Sequence, residues 1–261
     1  MIAGVLVPLV FEESLLETEY FRKYALGKEK TQGTVCFNPY RNFDVLCSLF
    51  NHISQYNLRH ARSFAKRIKT QDNDWTSCEA VFTELIVYGY YLRLRNEGLV
   101  RSINIEESEA DVIVERSDQT HMHLEAMCVM PSFPESQDGK PVVYSVKTHT
   151  QDAPSSIRQK LLRKIEKQGQ MSKPRENFVV VELNDTSIVG DFHVLSSLSD
   201  GYKVSGCREP GKILRSGYDW SKTFLAWPQA RYLKGIIWFD RGDYEARRVL
   251  INPYFQISNT E

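Results

Sequence analysis

Between Glu79 and Lys167 four side chains recur in an order suited to hydrolytic chemistry. Glu84 lies on a stretch with helical spacing, and Asp111 opens a β-branched run. Glu125 sits inside a second apolar run, and Lys160, Lys164 and Lys167 follow on a basic helical stretch. Carboxylates supply the hard oxygen ligands that a divalent cation takes. A lysine ammonium beside them can hold a water or meet developing negative charge. No other stretch points to chemistry, and there is no G-x-x-x-x-G-K-[ST] loop of a nucleotide-hydrolysing motor.

Each residue also has a plainer role. Val81, Leu85, Tyr88 and Leu92 recur at three and four residues, and Glu84 falls one step from that stripe. A carboxylate near an apolar face is costly unless it is paired or binds a cation, so the plainer partner is a nearby hydroxyl or arginine. Glu79, in the first helical turn, suits the helix dipole. Asp111 precedes Val112, Ile113 and Val114, and at a strand start it can simply turn the chain. Glu125 is sharper, because it follows Met122 and Leu124 well inside a strand pattern. Period 2 puts His121, His123, Glu125 and Met127 on one face. Two histidines and a carboxylate would also suit zinc or iron, although a solvent-facing strand accounts for the histidines more simply. On the basic helix Ile157, Leu161, Leu162 and Ile165 make the buried stripe, with Lys160 and Lys164 one turn apart.

The elements that must carry these residues are readable. Arg41 to Ile68 reads as helical, with Leu46, Phe50 and Ile53 at helical spacing. Asp74 is a candidate cap for a helix from Trp75 to Glu97 that stops at Gly98. Leu99–Ile105 and Ala110–Glu115 read as strands, Ser117-Asp118-Gln119 as a turn and His121–Met130 as the partner strand. Pro131 to Lys140 reads as a loop and Pro141 to Thr148 as a short strand. Ala153–Met171 is the basic helix, and Phe178–Leu183 is a continuous apolar run of the buried-strand type. Residues 185–227 mix loop with short helices. Leu233–Phe239 and Arg247–Ile251 flank Arg241-Gly242-Asp243 as a hairpin that Asn252-Pro253 ends. Helix, strands, helix, strand predicts an α/β core.

With 42% hydrophobic and 25% charged residues, the 261-residue chain has an ordinary globular composition, enough for one large domain or two small ones. Its zero net charge excludes a globally basic, polyanion-seeking protein. The charge is nevertheless uneven. Arg101–Glu125 holds seven acidic residues against Arg101 and Arg116, and Arg158–Arg175 holds seven basic residues against Glu166. An acidic cluster and a basic helix suit a metal site next to a phosphate-binding face; two solvated surfaces are the plainer account. Five cysteines without a C-x-x-C pair predict reduced thiols and a cytoplasmic protein. Ile2–Phe11 is apolar but short, lacks a basic leader and runs into Glu12-Glu13, so a strand or core segment is expected there and not a signal peptide. Gly27–Thr34 reads as a surface loop, and no membrane span is expected.

Taken together, Glu84, Asp111, Glu125 and the Lys160-Leu161-Leu162-Arg163-Lys164 run resemble the PD-(D/E)xK nuclease superfamily over roughly Trp75–Leu183. In that family a helical Glu precedes a β-hairpin whose strands carry Pro-Asp and (Asp/Glu)-x-Lys, followed by a helix and a buried strand. The pattern is similar to a branch with a Glu-Ala strand motif and the lysine moved to the following helix. Ala110 stands where proline is usual, and Met127 stands where the motif lysine would be. The resemblance implies a restriction-endonuclease-like α/β core of helix, mixed β-sheet, helix and strand. Residues 1–74 would form an N-terminal helical extension, and residues 75–261 the core domain with a C-terminal β-hairpin. It implies a metal site of Glu84, Asp111 and Glu125 taking Mg²⁺ or Mn²⁺, with Lys160 or Lys164 as the catalytic lysine. The reaction would be phosphodiester hydrolysis of DNA leaving a 5′-phosphate and a 3′-hydroxyl, the partner nucleic acid, with a homodimer left open. Arg59, His60, Arg62, Lys66, Arg67 and Lys69 would then grip the substrate backbone, or form a solvated face. Two further readings stand beside it: an inactive relative that binds nucleic acid or protein, and a metalloenzyme built on His121, His123 and Glu125.

Overall fold

The computed structural model describes residues 17–20, 43–72, 74–106, 110–129, 146–167, 171, 173–183, 190–200, 202–205, 215–240 and 248–256. The expectations for Ile2–Phe11, Gly27–Thr34, Pro131–Lys140 and the turn at Arg241-Gly242-Asp243 lie outside the described residues. The fold is α/β, with a mixed six-stranded sheet in the order β1-β2-β3-β4-β7-β8 and a separate β5-β6 pair. Its strands are β1 (Val100–Glu106), β2 (Ala110–Arg116), β3 (His121–Val129), β4 (Asn177–Leu183), β5 (Tyr202–Ser205), β6 (Arg215–Tyr218), β7 (Leu233–Asp240) and β8 (Arg248–Ile251). The helices are α1 (Phe43–Tyr56), α2 (Leu58–Thr70), α3 (Trp75–Asn96), α4 (Val146–Lys167) and α5 (Asp191–Leu198).

The chain divides into two compact units, residues 1–107 with 111–120, and residues 108–110 with 121–261. The expected boundary between 74 and 75 therefore falls inside the first unit. Among the described residues of this unit, α1, α2 and α3 pack on one another. The helix expected over Arg41–Ile68 is two, because Asn57 takes an extended conformation and its side chain accepts from the Arg59 and His60 amides. That capping satisfies donors a continuous helix would have bonded to the preceding turn. Asp74 caps α3 as expected, accepting from Thr76 N at 3.0 Å and Ser77 N at 3.3 Å. Just past α3, Gly98 takes φ +78, the left-handed value that ends helices and favours glycine. Phe50, Ile53, Phe64, Ile68, Phe82, Leu85 and Tyr88 are fully buried in this unit.

In the second unit β4 is flanked by parallel neighbours β3 and β7. All seven of its residues are buried, the apolar Phe178–Val181 stretch and also the polar Asn177 and Glu182. β8 closes the sheet antiparallel to β7, which is the expected terminal hairpin. Helix α4 starts at Val146, so Val146–Thr148 is helical where a strand was expected. Ile157, Leu161 and Ile165 of α4 pack into one apolar cluster with Met127, Val129, Val179 and Val181. The β5–β6 pair lies within residues 185–227, which had read as loop and short helix.

Candidate functional site

Strand β3 sorts its side chains by period 2. Glu125, Met127 and Val129 share a face, and Met127 and Val129 belong to the cluster that α4 covers. Glu125 itself is only 2% exposed and pairs in register with Val179 of β4. A carboxylate this deep needs a cation, and α4 brings one. Lys164 Nζ donates to Glu125 Oε2 at 3.0 Å. Lys164 can do so because Leu161 and Ile165 seat α4 on the strand, while the stem of Lys164 runs beside them and carries its amine inward. One turn earlier, Lys160 Nζ donates to the Cys128 carbonyl at 2.9 Å. Burial holds the Lys160 ammonium below the usual lysine range; Cys128 opposes that shift and Arg163 adds to it. Both lysines of the Lys160-Leu161-Leu162-Arg163-Lys164 run therefore reach β3, one at a side chain and one at the backbone. Of the histidines sharing Glu125's face, His121 is exposed and His123 half-buried.

Glu84 and Asp111 belong to the other unit. Glu84 is buried on α3, and both its oxygens accept from the Arg67 guanidinium of α2, at 2.5 Å from Nη1 and 2.7 Å from Nη2. This fork-to-fork geometry is the strongest form of a charge-assisted pair. The arginine partner is the plainer of the two roles anticipated for Glu84. Asp111 is the second residue of β2 and half-buried. Glu79, expected as a dipole partner, is fully buried and accepts from the Tyr20 hydroxyl. Among the described residues no group of three or more His, Cys, Asp or Glu side chains is gathered so as to hold a metal ion.

Three buried polar residues escaped the sequence reading of the site. Glu182 of β4 is fully buried, on the strand whose continuous apolar run hid it. Asn177 Nδ2 donates to the carbonyls of Lys173, Arg175 and Tyr232. Asn252 Nδ2 donates to those of Leu225, Ala230 and Leu233, while its Oδ1 accepts from Tyr254 N. Both asparagines tie loops to the sheet, and only the Asn-Pro pair at the chain's last hairpin gave any sign of this.

No protein-family model matches the chain, and no curated protein and no solved structure matches it.

Proposed function

We propose that the protein is a metal-dependent nuclease that hydrolyses phosphodiester bonds of DNA. The observation that carries the reading is the Lys164–Glu125 contact at 3.0 Å. It supports a lysine supplied by the helix after the acidic strand, as the resemblance to the PD-(D/E)xK superfamily requires when Met127 replaces the strand lysine. Glu125 offers carboxylate oxygens of the kind that a hard ion such as Mg²⁺ or Mn²⁺ takes. Glu84 does not suit that ion while Arg67 holds both its oxygens. When bound, such an ion supplies Lewis-acid activation of water and neutralises phosphate charge. In this reading Lys164 orients Glu125 and would meet negative charge that develops on the phosphate. Lys160, one turn away, fixes the strand end through the Cys128 carbonyl.

A second reading is an inactive relative that binds nucleic acid without cutting it. Met127 favours it, being packed into the apolar cluster where a strand lysine would have stood. Calorimetric titration with Mn²⁺ separates the two. The nuclease reading expects saturable binding by wild type that Glu125→Gln abolishes. Equal heats for wild type and the variant would favour the inactive binder.

A further inference from the structure

Helix α2 carries its charge in an unusual way. Arg59, Arg62, Lys66 and Lys69 are all exposed, while His60, Ala61, Phe64, Ala65 and Ile68 are buried. At about 100° per residue the four cations fall within an arc of about 80°, opposite the buried face. They span about 15 Å of helix axis at 1.5 Å per residue. Among the described residues none of the four side chains forms a hydrogen bond or ion pair. Arg67, at the flank of the stripe, is instead committed to Glu84.

The sequence does nothing to relieve this crowding. Helix α2 contains no acidic residue in any turn. Like charges three and four apart repel on a helix, and Arg59 stands in the first turn, where the dipole disfavours a cation. The acids that follow the helix are occupied elsewhere. Asp72 accepts from the Glu19 and Tyr20 amides, and Asp74 caps α3. A row of uncompensated cations is the electrostatic footprint of a polyanion.

From this geometry we infer that α2 is a phosphate-tracking face that lies along a nucleic-acid backbone. The inference takes the choice of polyanion from the proposed nuclease reading and adds the surface that would hold the substrate. Nucleic acid fits better than a lipid surface, because a helix that lies on a membrane inserts its apolar face. The apolar face of α2 is already spent on Phe64 and Ile68 in the protein core. Four cations over about 15 Å match the span of about four to five nucleotides at 3.4 Å per step of one strand.

The test is binding of a labelled DNA duplex to the full chain by fluorescence anisotropy in EDTA, which stops any metal-dependent cutting. Four phosphate contacts contribute a slope of about −3.6 to the logarithm of affinity against the logarithm of salt. This amounts to roughly a 150-fold loss between 50 and 200 mM salt. The combined Arg59→Gln, Arg62→Gln, Lys66→Gln and Lys69→Gln variant is expected to lose that share of the slope. Arg59→Lys with Arg62→Lys, which keeps the charge, is expected to retain it. An unchanged slope in the folded glutamine variant overturns the inference. So does a variant that loses binding to phosphatidylserine vesicles while keeping wild-type DNA binding, since that would assign the stripe to lipid. Failure here is distinguishable from failure of the nuclease reading, which concerns cutting in Mg²⁺ by a protein whose DNA binding is intact.

Discussion

At the scale of single residues, Glu84 and Glu125 pose the same problem and meet it differently. Each is a carboxylate on an apolar face, and each has recruited a cation from the neighbouring helix of its own unit. For Glu84 the partner is Arg67, bound through both oxygens, with the Glu84 side chain only 7% exposed. Removing one member of a buried pair strands the other, so Arg67→Ala is expected to destabilise the protein by about 3 kcal/mol in urea unfolding. Replacing both, Arg67→Met with Glu84→Met, removes the stranded charge and is expected to recover most of that loss. A double variant as unstable as Arg67→Ala would show that the pair is not what Glu84 needs. That these carboxylates required partners was legible from their place beside apolar stripes. Which partners they had was not, because Arg67 lies 17 residues from Glu84 and Lys164 lies 39 from Glu125. Helical and strand periods fix which face a residue occupies but not which other element covers that face.

At the scale of elements, α2 joins a solvent face of bare cations to a core face that contains a histidine. His60 is buried, with Nδ1 2.8 Å from the Tyr88 hydroxyl, and burial, reinforced by Arg59, lowers its affinity for a proton. The unfolded chain then takes up a proton near the ordinary value of 6.5 while the folded chain does not. The unfolded state thus binds more protons, so stability falls as pH drops below 6.5, down to the lowered folded value. In thermal melts between neutral and mildly acidic pH, His60→Gln is expected to flatten that slope. An identical slope in the variant would locate the acid sensitivity elsewhere. Local signals made most elements legible: Asp74 capping α3, Gly98 ending it, the apolar Phe178–Val181 stretch of β4, and the terminal hairpin. The break at Asn57 was missed because the apolar spacing continues across it and only a side-chain cap interrupts the backbone. The β5–β6 pair was missed because strands of four residues are too short to set up a period.

At the scale of the whole molecule, an α/β fold with a mixed six-stranded sheet carries a neutral total charge that conceals strongly charged parts. No helix among the described residues is long and apolar enough to cross a membrane. The order of acids and lysines along the chain underlies the proposed nuclease reading, and within that order Lys164 lies 3.0 Å from Glu125. Asp111 enters through the sequence alone, since a motif residue at a strand start has no local signal that separates chemistry from chain turning. The central claim is that the Glu125–Lys164 pair does chemistry and does not merely satisfy a buried charge. The most direct test is cleavage of labelled single- and double-stranded DNA in Mg²⁺ or Mn²⁺ by wild type and Lys164→Met, with melting curves establishing that both are folded. The account predicts metal-dependent cutting by wild type and a loss of at least about a hundredfold in the variant, the scale seen when a charge-stabilising donor is removed. Equal rates for the two folded proteins, or no cutting by wild type, would contradict it.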